Sequence, residues 1–248
     1  MTRLFHISDL HFGLEDSRAL DWVADCVRAE QPAAVVMTGD LTMRARHREF
    51  AAATRWIKGL GVPVIIEPGN HDLPYFNLHE RFTDPYGRFR AFEAQFERPP
   101  LLSGALPGAA IVPLKTTARA QIRLDWSKGR VGARGLAATL AAIDALPPGT
   151  RALVTCHHPL TEAGTHGKAL TQGGTRALAS LAQRGVLAVL SGHVHDPFDI
   201  IHPTARGLVR MIGAGTLSQR VRMTAPSFNE LTYIDGALNL RVREMQAH

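Results

Sequence analysis

The sequence predicts an α/β fold, on three observations. Between Arg3 and Asp72, short apolar runs alternate with segments whose apolar residues recur at helical spacing. The run "AAVVMTGD" (33–40) is apolar almost to its end, the pattern of a strand buried on both faces. Beyond residue 208 only short strand-like runs separated by turn residues remain, so the C-terminal part reads as antiparallel.

Taken in order, "RLFHIS" (Arg3–Ser8) is the first strand and stops at Asp9. Leu20, Val23 and Val27 mark a helix from Asp16 to Glu30, closed by Gln31-Pro32. "AAVVMTGD" is the second strand. Phe50, Ala53 and Ile57 mark the second helix, ended by Gly59 and Gly61. "VPVIIEPGNHD" (62–72) is a third strand running into a loop. This β-α-β-α-β order implies parallel strands with right-handed crossovers.

The segment at about 73–103 is rich in aromatics and arginines and is expected to form one or two short helices, as a core-packed insertion or as a lid over a substrate site. "AAIVPLKTT" (109–117) and "ALVTCHH" (152–158) are strands flanking a helix marked by Leu136, Leu140 and Ile143. A helix around Arg176–Gln183 leads into "VLAVLSGHVH" (186–195). "LVRMIG", "FNELTYID" and "LNLRVREM" then form the antiparallel tail, with a turn at Asp235-Gly236. No internal repeat, low-complexity tract or linker interrupts residues 1–248, so one domain is expected.

Composition narrows the class. With 45% hydrophobic and 20% charged residues, the chain has the make-up of a folded protein with a sizeable core, not of a disordered one. A net charge of +6 favours anionic partners such as phosphate esters, nucleic acid or an anionic membrane surface. Cys26 and Cys156 make no disulfide framework. The start "MTRLFHISDLHFG" lacks a signal-peptide pattern and no run is long enough to span a bilayer, so a cytoplasmic location is expected.

Five predicted strand ends share one feature: metal-ligand residue types begin where the apolar run stops. They are Asp9 and His11 in "SDLH", Asp40 in "TGD", Asn70 and His71 in "GNHD", His157 and His158 in "CHHP", and His193 and His195 in "GHVH". In α/β sheets ligands bind beyond the carboxyl ends of the strands, so these loops can converge on one point. Gly39, Gly69 and Gly192 precede three of the groups and permit close backbone approach. Each string alone reads as a capping aspartate or a surface histidine; the set of five reads as a metal site.

These blocks, in this order from Asp9 to His195, resemble the calcineurin-like metallophosphoesterase superfamily, whose signature runs D-x-H, GD, GNH[DE], H-x-P or HHP, and GHxH. The resemblance implies a four-layer α/β/β/α sandwich of two mixed sheets and a dinuclear metal centre. It places Asp9, His11 and His195 on the first ion, Asn70, His157 and His193 on the second, and Asp40 across both. His158 is then a neighbour of the centre rather than a ligand. Mixed imidazole and oxygen donors without thiolate suit two divalent or mixed-valence ions of Mn, Fe, Zn or Co. The implied reaction is attack of a metal-bridged hydroxide on a phosphodiester. His71, outside the ligand set, is the expected general acid, and Asp72 is expected to fix the loop and the orientation of His71.

The substrate is expected to be a phosphate ester, nucleotide-containing in one version, with nucleic acid a less favoured partner. The "GNHD…HHP…GHVH" style resembles the bacterial phosphodiesterase branch most. Alternatives within the superfamily are a nucleotide-sugar or lipid-precursor pyrophosphatase, whose members tend to carry Arg where this chain has His71, and a DNA nuclease. A metal-free binding scaffold of the same fold would require missing ligands, and none is missing. Arg44, Arg46, Arg220 and Arg222 either line the site or sit in solvent.

Overall fold

The computed structural model describes residues 1–96, 106–121, 125–169 and 171–246. In the first sheet β1 (Thr2–Ile7), β2 (Ala34–Thr38) and β3 (Val64–Glu67) run parallel, connected by α1 (Ser17–Glu30) and α2 (His47–Gly59). Two short helices follow, α3 (Leu78–Thr83) and α4 (Gly87–Glu93). The second sheet contains β4 (Ala109–Pro113), β5 (Arg151–Thr155), β6 (Ala188–Ser191), β7 (Phe198–Thr204) and β8 (Gly207–Gly213), with α5 (Ala133–Asp144) and α6 (Gly174–Ala182) between its strands in sequence. The chain then returns to the first sheet as the hairpin β9 (Ser227–Ile234) and β10 (Ala237–Glu244). Strand orders are β10-β9-β1-β2-β3 and β4-β5-β6-β8-β7.

The period-two alternation of side chains divides each strand between two cores. Phe5 and Ile7 of β1 pack with Val35, Met37, Val23, Val27 and Ile57 under α1 and α2. Leu4, one position out of phase, joins Ala34, Val36 and Leu231 against Ile111, Leu153, Leu190 and Ile212 of the other sheet. The far face of that sheet, through Val112, Val154, Val189 and Met211, meets Leu136, Leu178 and Leu181 of α5 and α6. The layers are therefore α/β/β/α, and β2 is buried along its whole length.

Local signals place the ends. The Asp16 carboxylate accepts from the amides of Arg18 (3.0 Å) and Ala19 (3.2 Å), satisfying two of the donors left free at the start of α1. The β9–β10 turn puts Asp235 and Gly236 at φ 49° and 83°, the left-handed pair a two-residue hairpin requires.

One expectation needs correction. The tail is not wholly antiparallel: β8 pairs parallel with β6 and antiparallel only with β7. β7 itself carries no sequence signal of the kind used above, because this edge strand exposes alternate residues and contains Pro203. In the 73–103 segment, Phe92 of α4 stacks on Phe50 of α2 at 5.4 Å, so α4 is fixed to the core. Arg81 of α3 is buried, donating to the carbonyls of Arg119 (2.6 Å), Ala118 (3.1 Å) and Pro74 (3.3 Å). Residues 97–103 of that segment lie outside the described residues. No helix among the described residues is long and apolar enough to cross a membrane.

Candidate metal centre and active site

The carboxyl ends of β1, β2 and β3 meet those of β5 and β6, and all the predicted ligand residues lie in the loops that leave them. The backbone there is unusual. Among the described residues, eight non-glycine positions have positive φ, and five are Asp9, His11, Asp40, His193 and His195. Such conformations cost free energy and persist where surrounding structure enforces them, typically at functional sites. The neighbouring glycines explain how the loops come so close. A Cβ on Gly69 would collide with the Asp40 carboxylate, and one on Gly192 with the Ser8 hydroxyl.

One cluster forms around Asp9. Its Oδ1 atom, buried and without a hydrogen-bond partner, faces His195 Nε2 at 3.1 Å and His11 Nε2 at 3.6 Å. The two Nε2 atoms stand 3.3 Å apart. The His195 Nδ1 proton is committed to the Arg220 carbonyl (2.8 Å), because a carbonyl can only accept. Its Nε2 lone pair therefore points at a carboxylate oxygen. The other Asp9 oxygen accepts from the His193 amide at 2.8 Å, tying this cluster to the next.

The second cluster has the same logic. His157 donates Nδ1–H to the Thr38 carbonyl (2.7 Å), so its Nε2 presents a lone pair. That lone pair faces the Asn70 Oδ1 atom at 3.1 Å and Asp40 Oδ2 at 3.3 Å. Asp40 Oδ2 also lies 3.8 Å from His11 Nε2 of the first cluster. The His193 ring packs against His157, with centroids 5.1 Å apart. Acceptors facing one another in a buried site need a proton or a cation between them: against burial, Asp40 raises His157 to about 9 and Asp9 raises His195, and the same donor atoms can hold a metal ion in place of those protons.

Charge is set up accordingly. Burial opposes ionisation of Asp9, but the His195 and His11 imidazoles outweigh it and hold the carboxyl well below the usual range. Asp40 behaves alike, with His157, His71 and His11 overcoming burial. Burial pushes His193 down to about 3 and lowers His11, leaving neutral imidazoles of the form that binds metals.

His71 lies against these donor sets, its ring edge-on to His11 with centroids 4.8 Å apart, and it and Asp72 make hydrogen bonds of a different kind. His71 donates Nδ1–H to the Met43 carbonyl (2.7 Å), and its amide donates to Asp40 Oδ1 (2.8 Å). Its Nε2 faces the cleft. The ring is thus oriented by Met43, not by Asp72 as expected. The buried Asp72 carboxylate instead accepts from the amides of Thr42 (2.8 Å), Gly69 (2.9 Å) and Leu41 (3.2 Å) and from the Thr42 hydroxyl (2.8 Å). It clamps the Asp40 loop to the Asn70 turn. Burial, with the Asp40 charge added, pushes its carboxyl up to about 6 against those four hydrogen bonds. His158 has both nitrogens engaged, with Thr116 Oγ1 (3.0 Å) and the Ser127 carbonyl (2.8 Å), although its ring lies beside His193.

One residue gains a place that sequence reading left open. Arg220 Nη1 lies 3.1 Å from His71 Nε2 and 3.3 Å from His11 Nε2, inside the cleft. Among the described residues no carboxylate pairs with it. The loop carrying it is anchored by the Thr216 hydroxyl, which donates to the Asp9 carbonyl at 2.8 Å, and by the Arg220 amide, which donates to Ser218 Oγ at 3.3 Å. Arg222, Lys128 and Lys168 line the same cleft, of about 350 Å³. Arg44 lines an adjoining pocket, whereas Arg46 stays at the start of α2 with Glu49. The signal that could have found Arg220 is its place in the loop after a parallel strand of the second sheet, obscured by reading that strand as antiparallel.

Comparison with known proteins agrees with this geometry. Residues 2–197 match the family model described as calcineurin-like phosphoesterase. A probable cyclic nucleotide phosphodiesterase of Synechococcus sp. is 28% identical over 226 residues, covering 84% of this chain and 77% of that protein. A glycerophosphodiester phosphodiesterase of Enterobacter lignolyticus is 34% identical over 80 residues, 28% of this chain and 29% of its own length. Among solved structures, a dimetal phosphatase from Danio rerio superposes with a TM-score of 0.69 at 14% identity, covering 98% and 96% of the two chains. A purple acid phosphatase from Lupinus luteus gives 0.66 at 14% identity, over 98% of this chain and 51% of that one. These two likenesses bear on the fold alone. With five strand-end loops converging on paired carboxylate and imidazole clusters and this match across most of its length, the chain belongs to the calcineurin-like phosphoesterase family and is a metal-dependent phosphoric ester hydrolase.

Proposed function

We propose that the chain hydrolyses a phosphodiester, with Asp9, His11 and His195 holding one divalent cation, Asn70, His157 and His193 a second, and Asp40 shared between them. The observation that carries this reading is the convergence of buried ligand atoms, His195 Nε2 on Asp9 and His157 Nε2 on Asp40 and Asn70. The donor set suits Mn, Fe, Zn or Co. Bound there, two cations supply an activated water and neutralise charge on the phosphoryl oxygens. The Synechococcus and Enterobacter relatives both carry phosphodiesterase names, which supports a diester over a monoester.

The chain's own residues then have separable tasks. A bond forms from the water oxygen to phosphorus while the opposite P–O bond breaks, and the departing alkoxide needs a proton. His71 is placed to give it: Met43 holds the Nδ1–H in either charge state, and Nε2 faces the cleft. Arg220 contacts the phosphoryl oxygens, since among the described residues its guanidinium has imidazole partners and no carboxylate, and stands among the donor atoms. When it turns to the anion, His71 Nε2 is freed to carry the proton. Asp72 acts at a distance by fixing the Asp40 and Asn70 loops in register.

The test is turnover of bis(4-nitrophenyl) phosphate by protein loaded with Mn. Activity is expected to vanish on chelation and return with metal. Metal-loaded protein that turns over neither diesters nor monoesters overturns the reading.

A further inference from the structure

The metal cleft is one half of a larger depression. A second cavity of about 360 Å³ adjoins it, lined by Met43, Arg44, Tyr75, Phe76, Arg81 and Trp126. The two share Asn70, His71 and Ser127, so the proposed acid stands at their junction. Their characters differ. The metal side is walled by Lys128, Lys168, Arg220 and Arg222, the other side by rings.

Those rings are left exposed at a cost. Tyr75 and Phe76 are 60% and 70% exposed, adjacent in sequence, and meet edge to face at 5.2 Å. Exposed apolar surface concentrated beside a site marks a binding surface. Arg44 lies over the Phe76 ring at 5.7 Å and Arg81 over Trp126 at 5.4 Å. Trp126 is further held by Nε1–H to the Gln121 carbonyl at 3.3 Å and by Phe82 edge to face at 5.9 Å. The wall is aromatic and interleaved with polar groups, Arg44 and Ser127 among them. That combination fits a flat ring, which can stack on the aromatic faces and meet the Arg44 guanidinium at its edge, better than an alkyl or acyl chain, which uses neither.

We infer that the Tyr75–Phe76–Trp126 compartment receives a flat aromatic group carried by the alcohol that leaves, making the substrates phosphodiesters of nucleobase-bearing or aryl alcohols rather than small polyol diesters. The direction rests on His71 lining both compartments: with the phosphoryl among the cations, a leaving oxygen beside His71 can carry its ring onto the aromatic side. This inference rests on the phosphodiester reading above and deepens it.

The test uses the full-length, Mn-loaded protein and three methyl phosphodiesters, of adenosine (5′-linked), phenol and glycerol. The adenosine and phenyl arms distinguish the two sources of the ring. The expected result is a higher kcat/KM for at least one ring-bearing diester than for the glycerol one. That ratio should fall about tenfold or more in Phe76→Ala and Trp126→Leu, through KM, as loss of a stacking face predicts. A second readout needs no turnover: adenosine should quench tryptophan fluorescence of chelated protein, and the quench should disappear in Trp126→Phe. Preference for the glycerol diester, or equal losses on all three substrates in both variants, overturns the inference. So does a Tyr75- and Phe76-dependent co-sedimentation with phosphatidylglycerol vesicles in place of adenosine binding. If no diester is hydrolysed but adenosine still quenches Trp126, the phosphodiester reading fails and the ring site stands.

Discussion

His157 Nε2 faces Asp40 Oδ2 at 3.3 Å, with the only neutral-state proton of that imidazole already given to the Thr38 carbonyl. In the protein without metal the contact is relieved by protonation, since the Asp40 carboxylate holds His157 up to about 9 even though burial opposes it. A cation displaces that proton. Asp40→Asn removes the charge shared by both clusters. Metal content by mass spectrometry should drop from two ions per chain toward one or none, and activity should fall by more than roughly 100-fold, since disturbing even the supporting shell of a metal site costs about 10- to 100-fold.

Metal should also stabilise the fold, because the donors come from loops of both sheets and are assembled only in the native state. Saturation at 100 times the dissociation constant adds about 2.7 kcal/mol. For a chain of this size that is a rise of roughly 5–10 °C in melting midpoint. Calorimetry of chelated and Mn-saturated protein checks it, and coincident midpoints would argue against the assignment of these loops as a metal centre.

Arg220 works through its side chain and its backbone separately. Its carbonyl orients His195, and that contact survives substitution. Arg220→Ala should therefore retain both metals while kcat/KM falls about 10²- to 10³-fold, the loss typical of one preorganised donor to a developing oxyanion. Inhibition by inorganic phosphate should weaken in parallel. Loss of metal along with activity would make the residue structural.

Much of this candidate centre was legible because each proposed ligand group begins where an apolar run ends, as at Thr38-Gly39-Asp40. What escaped depends on long-range contacts. Arg220 is aimed by Thr216 bonding to Asp9, 207 residues away, and nothing local distinguishes it from a solvated arginine. The left-handed backbone at five of the proposed ligand positions leaves no trace in composition, because the residues there are Asp and His rather than Gly. Trp126 joins Phe76 in one cavity across a stretch of chain with no periodic pattern. β7 hid because an edge strand needs no continuous apolar face.

His71→Ala separates acid catalysis from binding. With nitrophenolate leaving, no proton is needed and the loss should stay under roughly tenfold, whereas with an alkoxide leaving it should reach about 10²- to 10⁴-fold in kcat, the contribution usual for a positioned general acid. Equal losses with both substrates would leave His71 only the task of holding the Asp40 loop through its amide.

Glu67, at the end of β3, sets a pH dependence of stability independent of turnover. Burial pushes its carboxyl up to about 8, although the Thr155 hydroxyl donates to it at 2.9 Å and favours the anion. Unfolded, the group titrates near the ordinary glutamate value of 4.5. Between these values the native state holds a proton that the unfolded state has released, so stability declines as pH rises, by up to about 1.4 kcal/mol per unit. Below 4.5 both states are protonated and the effect is absent; above 8 the loss is complete. Glu67→Gln keeps an acceptor for Thr155 and removes the titration. Its melting midpoint should exceed that of the parent at pH 8 by at least roughly 2–4 °C, about 1 kcal/mol for a chain this size, with the two converging toward pH 5. A constant offset between the curves at every pH would mean that Glu67 is ionised in the native state, and that Thr155, not burial, governs it.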